Sequence, residues 1–171
     1  YQLVQNRDKV LIGWDEILEG GLAPGATVMS WRGVSGGIAA AQQGHDVIMT
    51  PTSHAYFDYA QGEPGLEPFS IGGNIPLERV YAFEPVPSVL TPEQAAHVLG
   101  AQGNVWTEYL KTPDRVEWMV FPRMLAMAEV TWSPASARDW ERFIERLPSA
   151  LAALDRLGVG RIDGGDVVAV D

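Results

Sequence analysis

Cysteine is absent from this 171-residue sequence, which excludes a disulfide framework, thiolate metal sites and a cysteine nucleophile. The same absence leaves the compartment unassigned. Histidine is scarce, and His45, His54 and His97 lack the spacing of a metal-binding pair, so each reads as a surface or hydrogen-bonded residue. No metal or organic cofactor is expected. Positive charge is also in deficit: 12 Lys and Arg against 22 Asp and Glu give a formal charge of −10, with the acids spread along the chain. This argues against nucleic acid or an anionic membrane surface as the main partner. No apolar run approaches the roughly 20 residues that a membrane-spanning helix needs, and Tyr1 opens on Gln-Leu-Val-Gln-Asn-Arg with no signal-peptide pattern.

What the chain does contain is 46% apolar residues, enough to build a sizeable core. Short apolar runs near residues 9–13, 26–30, 46–50 and 97–105, bounded by Gly, Pro, Asp or Asn, read as strands. The first three are nearly continuous, as expected for strands of a parallel sheet covered on both faces. Residues 35–44 are Ala-rich, start at a candidate capping Ser35 and stop at Gly44, so they read as a crossover helix between the second and third strands. Ile17-Leu18-Glu19 suits a short helix. Thr91-Pro92-Glu93 combines a capping Thr, Pro at the first helical position and an early acid. Residues 115–132 suit a largely buried helix interrupted near Pro122, and residues 139–157 an amphipathic helix despite Pro148. Residues 59–76 read as one long loop, and Val167-Val168-Ala169-Val170 as an edge strand or ordered tail. Strands alternating with helices indicate an α/β fold.

Three tryptophans stand beside polar residues at the ends of these runs: Gly13-Trp14-Asp15-Glu16, Ser30-Trp31-Arg32-Gly33 and Asn104-Val105-Trp106-Thr107-Glu108. Tyr56-Phe57-Asp58 follows the third run. In α/β sheets and barrels, residues at the C-terminal strand ends face the ligand site. A flat aromatic face with hydrogen-bonding neighbours suits a pyranose ring, whose C–H bonds pack on carbon while its hydroxyls need donors and acceptors. A buried tryptophan satisfied by its neighbours is the ordinary reading of each taken singly; the repetition at four strand ends points to a carbohydrate pocket.

These segments, with Gly44-His-Asp-Val-Ile-Met-Thr-Pro51, Gly100-Ala-Gln-Gly103 and Phe121-Pro-Arg-Met-Leu-Ala-Met-Ala-Glu129, closely resemble, in order and approximate spacing, the motifs of family 20 glycoside hydrolases, the β-N-acetylhexosaminidases. The resemblance covers roughly residues 8–133. It implies a (β/α)8 barrel, of which this chain supplies about strands five to eight, because a full barrel needs about 250 residues. Residues 1–135 are then the C-terminal half of the catalytic barrel, and residues 136–171 a helix and tail packing on it. The missing N-terminal half of the barrel becomes an expected partner, and the exposed edge of a half-barrel is expected to associate with its own kind.

The family's chemistry is retaining and substrate-assisted: an acid protonates the glycosidic oxygen while the substrate's acetamido oxygen attacks the anomeric carbon, giving an oxazolinium that water opens. The resemblance implies terminal N-acetylglucosamine or N-acetylgalactosamine residues of glycans as substrate. By motif, Trp14, Trp31 and Trp106 resemble the aromatic walls around the sugar, Tyr56 the hydroxyl that positions the acetamido oxygen, and Asp58 and Glu108 acceptors for sugar hydroxyls. The family's Asp-Glu pair, in a His-x-Gly-Gly-Asp-Glu type segment, does not occur in residues 1–171, so this chain alone is expected to be inactive. Asp15-Glu16 does not replace the pair, because Gly-Trp-Asp-Glu matches a different motif; loop anchoring or strand-end hydrogen bonding is expected of both. Gly164-Gly165-Asp166 lacks the Glu. A non-catalytic carbohydrate-binding module and a structural interaction domain are the alternative readings.

Overall fold

Four short strands form one parallel sheet in chain order: β1 (Ile12–Trp14), β2 (Thr27–Ser30), β3 (Val47–Met49) and β4 (Val98–Ala101). The computed structural model describes residues 1–62 and 66–159, so the C-terminal segment read as a strand or tail lies outside the described residues. Val28 and Val47 of the two central strands are wholly buried, as is Met49. The expectation of strands covered on both faces holds there and fails for β1, where Ile12 is 51% exposed, and Val10 just ahead of it is 67% exposed. Among the described residues β1 pairs only with β2, leaving it an edge. β4 is shorter than the run from 97 to 105. Its register against β3 slips after Val47 pairs with Val98, so that Ile48 meets Gly100 and Leu99 is left over, 61% exposed. Gly100 takes φ +147°, a conformation that suits glycine at such a bulge.

The helices are α1 (Gln2–Gln5), α2 (Ser35–Gln42), α3 (Leu77–Tyr81), α4 (Pro92–Ala95), α5 (Pro113–Val120), α6 (Arg123–Trp132) and α7 (Trp140–Arg156). Asp15–Leu18 adds a 3-10 turn. Contacts divide the chain into two compact units. The first, residues 1–55 and 84–102, holds the sheet, α1, α2 and α4; the second, residues 56–83 and from 103 onward, holds α3 and α5 to α7.

In the first unit, α2 is the crossover helix, but Ser35 is its first helical residue and not a cap. The capping work passes to buried Ser30 at the end of β2, whose Oγ accepts the Gly37 N–H at 2.8 Å and donates to the Gly33 carbonyl at 2.7 Å. One hydroxyl thus fixes the strand-to-helix turn. Thr91 makes the expected cap of α4, with Gln94 answering in a capping box.

In the second unit, the predicted 115–132 helix is two helices, because Pro122 provides no N–H and Phe121 leaves the helical conformation. Helix α7 docks through an aromatic cluster, with the Tyr81 ring 5.3 Å from Trp140 and 4.8 Å from Phe143. Tyr81 Oη donates to Glu129 at 2.9 Å and accepts the Asp139 N–H at 2.7 Å, and Arg146 closes the network on Glu129 at 2.6 Å.

Gly103 adjoins the buried Phe57 ring so closely that an added Cβ would lie 2.5 Å from Cε2. Gly103→Ala is expected to lower stability by about 1–3 kcal/mol, the range for overpacking a filled core. The urea-unfolding midpoint checks this, and an unchanged midpoint would show that the ring has room to move.

Candidate active site

In the first unit, Trp14 ends β1 and Trp31 directly follows β2, so both occupy the C-terminal strand ends. The acids between them are structural. Asp15 is 2% exposed, and its Oδ2 accepts the backbone N–H groups of Trp31 and Arg32, each at 3.1 Å, while Oδ1 binds Arg32 Nε at 2.7 Å. Both carboxylate oxygens are engaged, which offsets the cost of burying the charge. Glu16 receives the Trp31 indole N–H at 3.0 and 3.2 Å, a bond that also holds its carboxyl below the usual range. Arg32 reaches Glu19 at 2.8 Å, and the carboxylates of Glu19 and Asp15 raise its already high pKa further. The Gly-Trp-Asp-Glu segment is therefore a clasp that sets the position and ring orientation of Trp31, in line with the anchoring role expected of Asp15 and Glu16.

The second unit holds Tyr56, Asp58, Trp106 and Glu108. Tyr56 pairs with Asn104 in an isolated parallel bridge, with the Phe57 N–H donating to the Asn104 carbonyl at 2.7 Å. This bridge aligns the Tyr56–Asp58 segment with the one carrying Trp106. Tyr56 is 7% exposed; burial raises its pKa, against hydrogen bonds from the Trp106 and Asn104 side chains. Asp58 is 3% exposed, and burial pushes its pKa up to about 6. Backbone N–H groups of Asp58 and Trp106 oppose the rise, Glu108 adds to it, and the charge of Arg123 pulls it down. Asp58 Oδ1 has no hydrogen-bond partner among the described residues. A buried carboxylate oxygen left without a donor is costly. Trp106, 40% exposed, and the exposed Glu108 carry the more open side of this cluster.

Sequence reasoning passed over Arg123, although it stood inside a quoted motif. It is completely buried. Its Nη2 donates to the Phe57 carbonyl at 2.6 Å and to that of Met119, Nη1 to Ile75 at 3.1 Å and Ala60 at 3.5 Å, and Nε to Met119 at 3.2 Å. The guanidinium also lies 5.1 Å from the centre of the Phe57 ring. Burial draws its pKa down to about 9, against the attraction of Glu67 and Asp58. The available signal was an arginine in a Met-rich stripe: arginine is seldom buried unless its donors are satisfied. Asn104 was missed as well, since both its backbone bridge to Tyr56 and its side-chain hydrogen bond to the same residue join segments distant in the sequence.

Among the described residues no cluster of His, Asp and Glu is arranged to hold a metal. An open cleft of about 400 Å³ in the second unit is lined by Glu129, Ala137, Asp139, Arg142, Glu145 and Arg146. None of these belongs to the candidate site.

The fold defines an α/β protein with a parallel sheet whose C-terminal strand ends carry Trp14 and Trp31. The catalytic domain of glycosyl hydrolase family 20 matches residues 1–135, and the chain belongs to that family. It is 54% identical over 159 residues to a beta-hexosaminidase of Porphyromonas gingivalis, covering 92% of this chain and 20% of the relative. It is 37% identical to a beta-N-acetylhexosaminidase of Cellulomonas fimi, covering 91% and 32%. Among solved structures, a GH20 beta-N-acetylhexosaminidase from Streptomyces coelicolor superposes with a TM-score of 0.82 at 28% identity, over 98% of this chain and 35% of that one. A Vibrio harveyi exo beta-N-acetylglucosaminidase, solved in complex with N-acetylglucosamine, gives 0.81 at 31% identity, over 94% and 26%. The fold is therefore of the TIM-barrel α/β type, and the chain spans about a fifth to a third of the relatives it matches.

A carboxyl whose pKa is higher folded than unfolded favours the folded state at low pH, and that advantage is lost as pH rises through its folded value. For Asp58 the window runs from the ordinary value of 3.8 to about 6. Asp58→Asn is thus expected to stabilise the protein at pH 8, by up to about 2–3 kcal/mol, with the gain vanishing below about pH 4. Melting temperatures of both proteins across this range provide the check; an equal difference at all pH values would refute the raised pKa.

Proposed function

We propose that this chain supplies strands five to eight of a family 20 catalytic barrel, with residues 1–135 forming the C-terminal half of that barrel. The parent enzyme removes terminal non-reducing N-acetylhexosamine residues from β-N-acetylhexosaminides with retention of configuration. The observation that carries this reading is the buried pair of Tyr56 hydroxyl and Asp58 carboxylate, joined by hydrogen bonding to the Trp106 segment, in a chain that belongs to this family.

In the proposed reaction the substrate's acetamido oxygen attacks the anomeric carbon as the glycosidic bond breaks, forming an oxazolinium ion; water then opens it. Tyr56 Oη donates to that acetamido oxygen, holding it in line for attack and stabilising the charge distribution that develops. A tyrosine kept protonated by burial is suited to donate. Asp58 and Glu108 accept hydrogen bonds from sugar hydroxyls, and the unpartnered Oδ1 of Asp58 has capacity for one. The roles of Trp14, Trp31 and Trp106 as aromatic walls rest on the motif resemblance. The leaving-group acid and its Asp partner are supplied from outside residues 1–171.

In the parent enzyme, Tyr56→Phe is expected to lower kcat by about 10²–10³-fold with a much smaller change in KM, the pattern for a donor that matters most in the transition state. Unchanged steady-state kinetics would remove Tyr56 from the mechanism. The purified 171-residue chain is expected to show no turnover of a chromogenic N-acetylglucosaminide, because it lacks the acid. Measurable release of the chromophore would overturn that assignment.

A further inference from the structure

Two of the proposed substrate-binding groups, Tyr56 and Asp58, flank a residue whose carbonyl is held from inside the protein. Arg123 Nη2 donates to the Phe57 carbonyl at 2.6 Å, and the guanidinium carbon lies 5.1 Å from the centre of the Phe57 ring. The other donors of the same side chain bind the carbonyls of Ala60, Ile75 and Met119. A planar cation with five N–H donors in fixed directions cannot follow one of these carbonyls without releasing another. The Phe57 peptide is therefore referenced to three other points of the chain, and the side chains on either side of it inherit that reference.

We infer that Arg123 is a positioning residue for the sugar site: by fixing the Phe57 carbonyl it sets where the Tyr56 hydroxyl and the Asp58 carboxylate stand. This rests on the proposed roles of those two groups. Arg123 touches no substrate in this scheme; it acts through the 56–58 segment. Its buried charge also favours the ionised form of Asp58, so one side chain serves both the placement and the charge of the acceptor. A displacement of about 1 Å at such a group can cost on the order of 10²-fold in rate, so the kinetic effect of disturbing Arg123 is expected to exceed what lost stability explains.

The test uses the full-length enzyme, below its melting transition, in two backgrounds. Arg123→Lys keeps the charge and loses the planar fork; Arg123→Gln loses the charge, keeps two donors and serves if the lysine variant does not fold. In the native background either variant is expected to lower kcat/KM for a chromogenic N-acetylglucosaminide by at least about tenfold. In a Tyr56→Phe, Asp58→Asn background there is no hydroxyl or carboxylate left to misplace, and the same change is expected to cost less than about twofold, while the fall in melting temperature is the same in both. Equal kinetic losses in the two backgrounds would reduce Arg123 to a structural residue and overturn the inference alone. A Tyr56→Phe, Asp58→Asn enzyme with native kcat/KM would instead overturn the reading of the site, and the inference with it.

Discussion

The guanidinium of Arg123 has no access to water, and a cation in that position is tolerated only if its donors are satisfied. No carboxylate meets it directly among the described ion pairs. Backbone carbonyls from residues 57, 60, 75 and 119 do so instead. Each of those carbonyls would otherwise be a polar group seeking a partner in the interior, so cation and carbonyls solve the same problem for each other. The solution also dictates structure. The backbone at Ala60 and Ile75, the end of α5, the start of α6 and the Tyr56–Asp58 segment must converge on one guanidinium, and helix-breaking Pro122 permits α5 to end with the Met119 carbonyl available to it.

The acidic residues divide their labour by environment. Asp15 is as buried as Asp58, yet both of its oxygens are saturated by N–H donors and a salt bridge, whereas Asp58 retains an oxygen without a donor and a raised pKa. The first is finished as a structural group. The second keeps an unused acceptor, at a cost in stability that the surrounding framework bears. Glu16 stands between these cases: it is exposed, and its carboxylate receives and orients the Trp31 indole N–H. A pair of adjacent acids in the sequence, which invites reading as a catalytic pair, is here a device for holding an aromatic ring.

Much of the fold was legible because it rests on local chemistry. Continuous apolar runs located β2 and β3, the Thr91-Pro92 pair located the start of α4, and the helical spacing of apolar residues over 139–157 located α7. The errors arose where a distant partner intervened. Ser35 yielded its capping role to Ser30, which β2 brings beneath the helix start. The run from 97 to 105 forms a strand only over Val98–Ala101, and its register against β3 slips within it, between Val98 and Gly100. Val10 and Ile12 belong to an edge that composition cannot distinguish from a central strand.

The sequence by itself determined the strand-end residue types, the alternation of strands and helices, and the family resemblance, since these are carried by adjacent residues and their order. Only the tertiary structure decided which acids are spent in holding the fold, that Asp58 is desolvated, and that Arg123 lies at the junction of four segments. The reason is physical. A side chain's charge state and hydrogen-bonding capacity depend on which groups surround it, and for Arg123 those groups come from as far as 66 residues away along the chain.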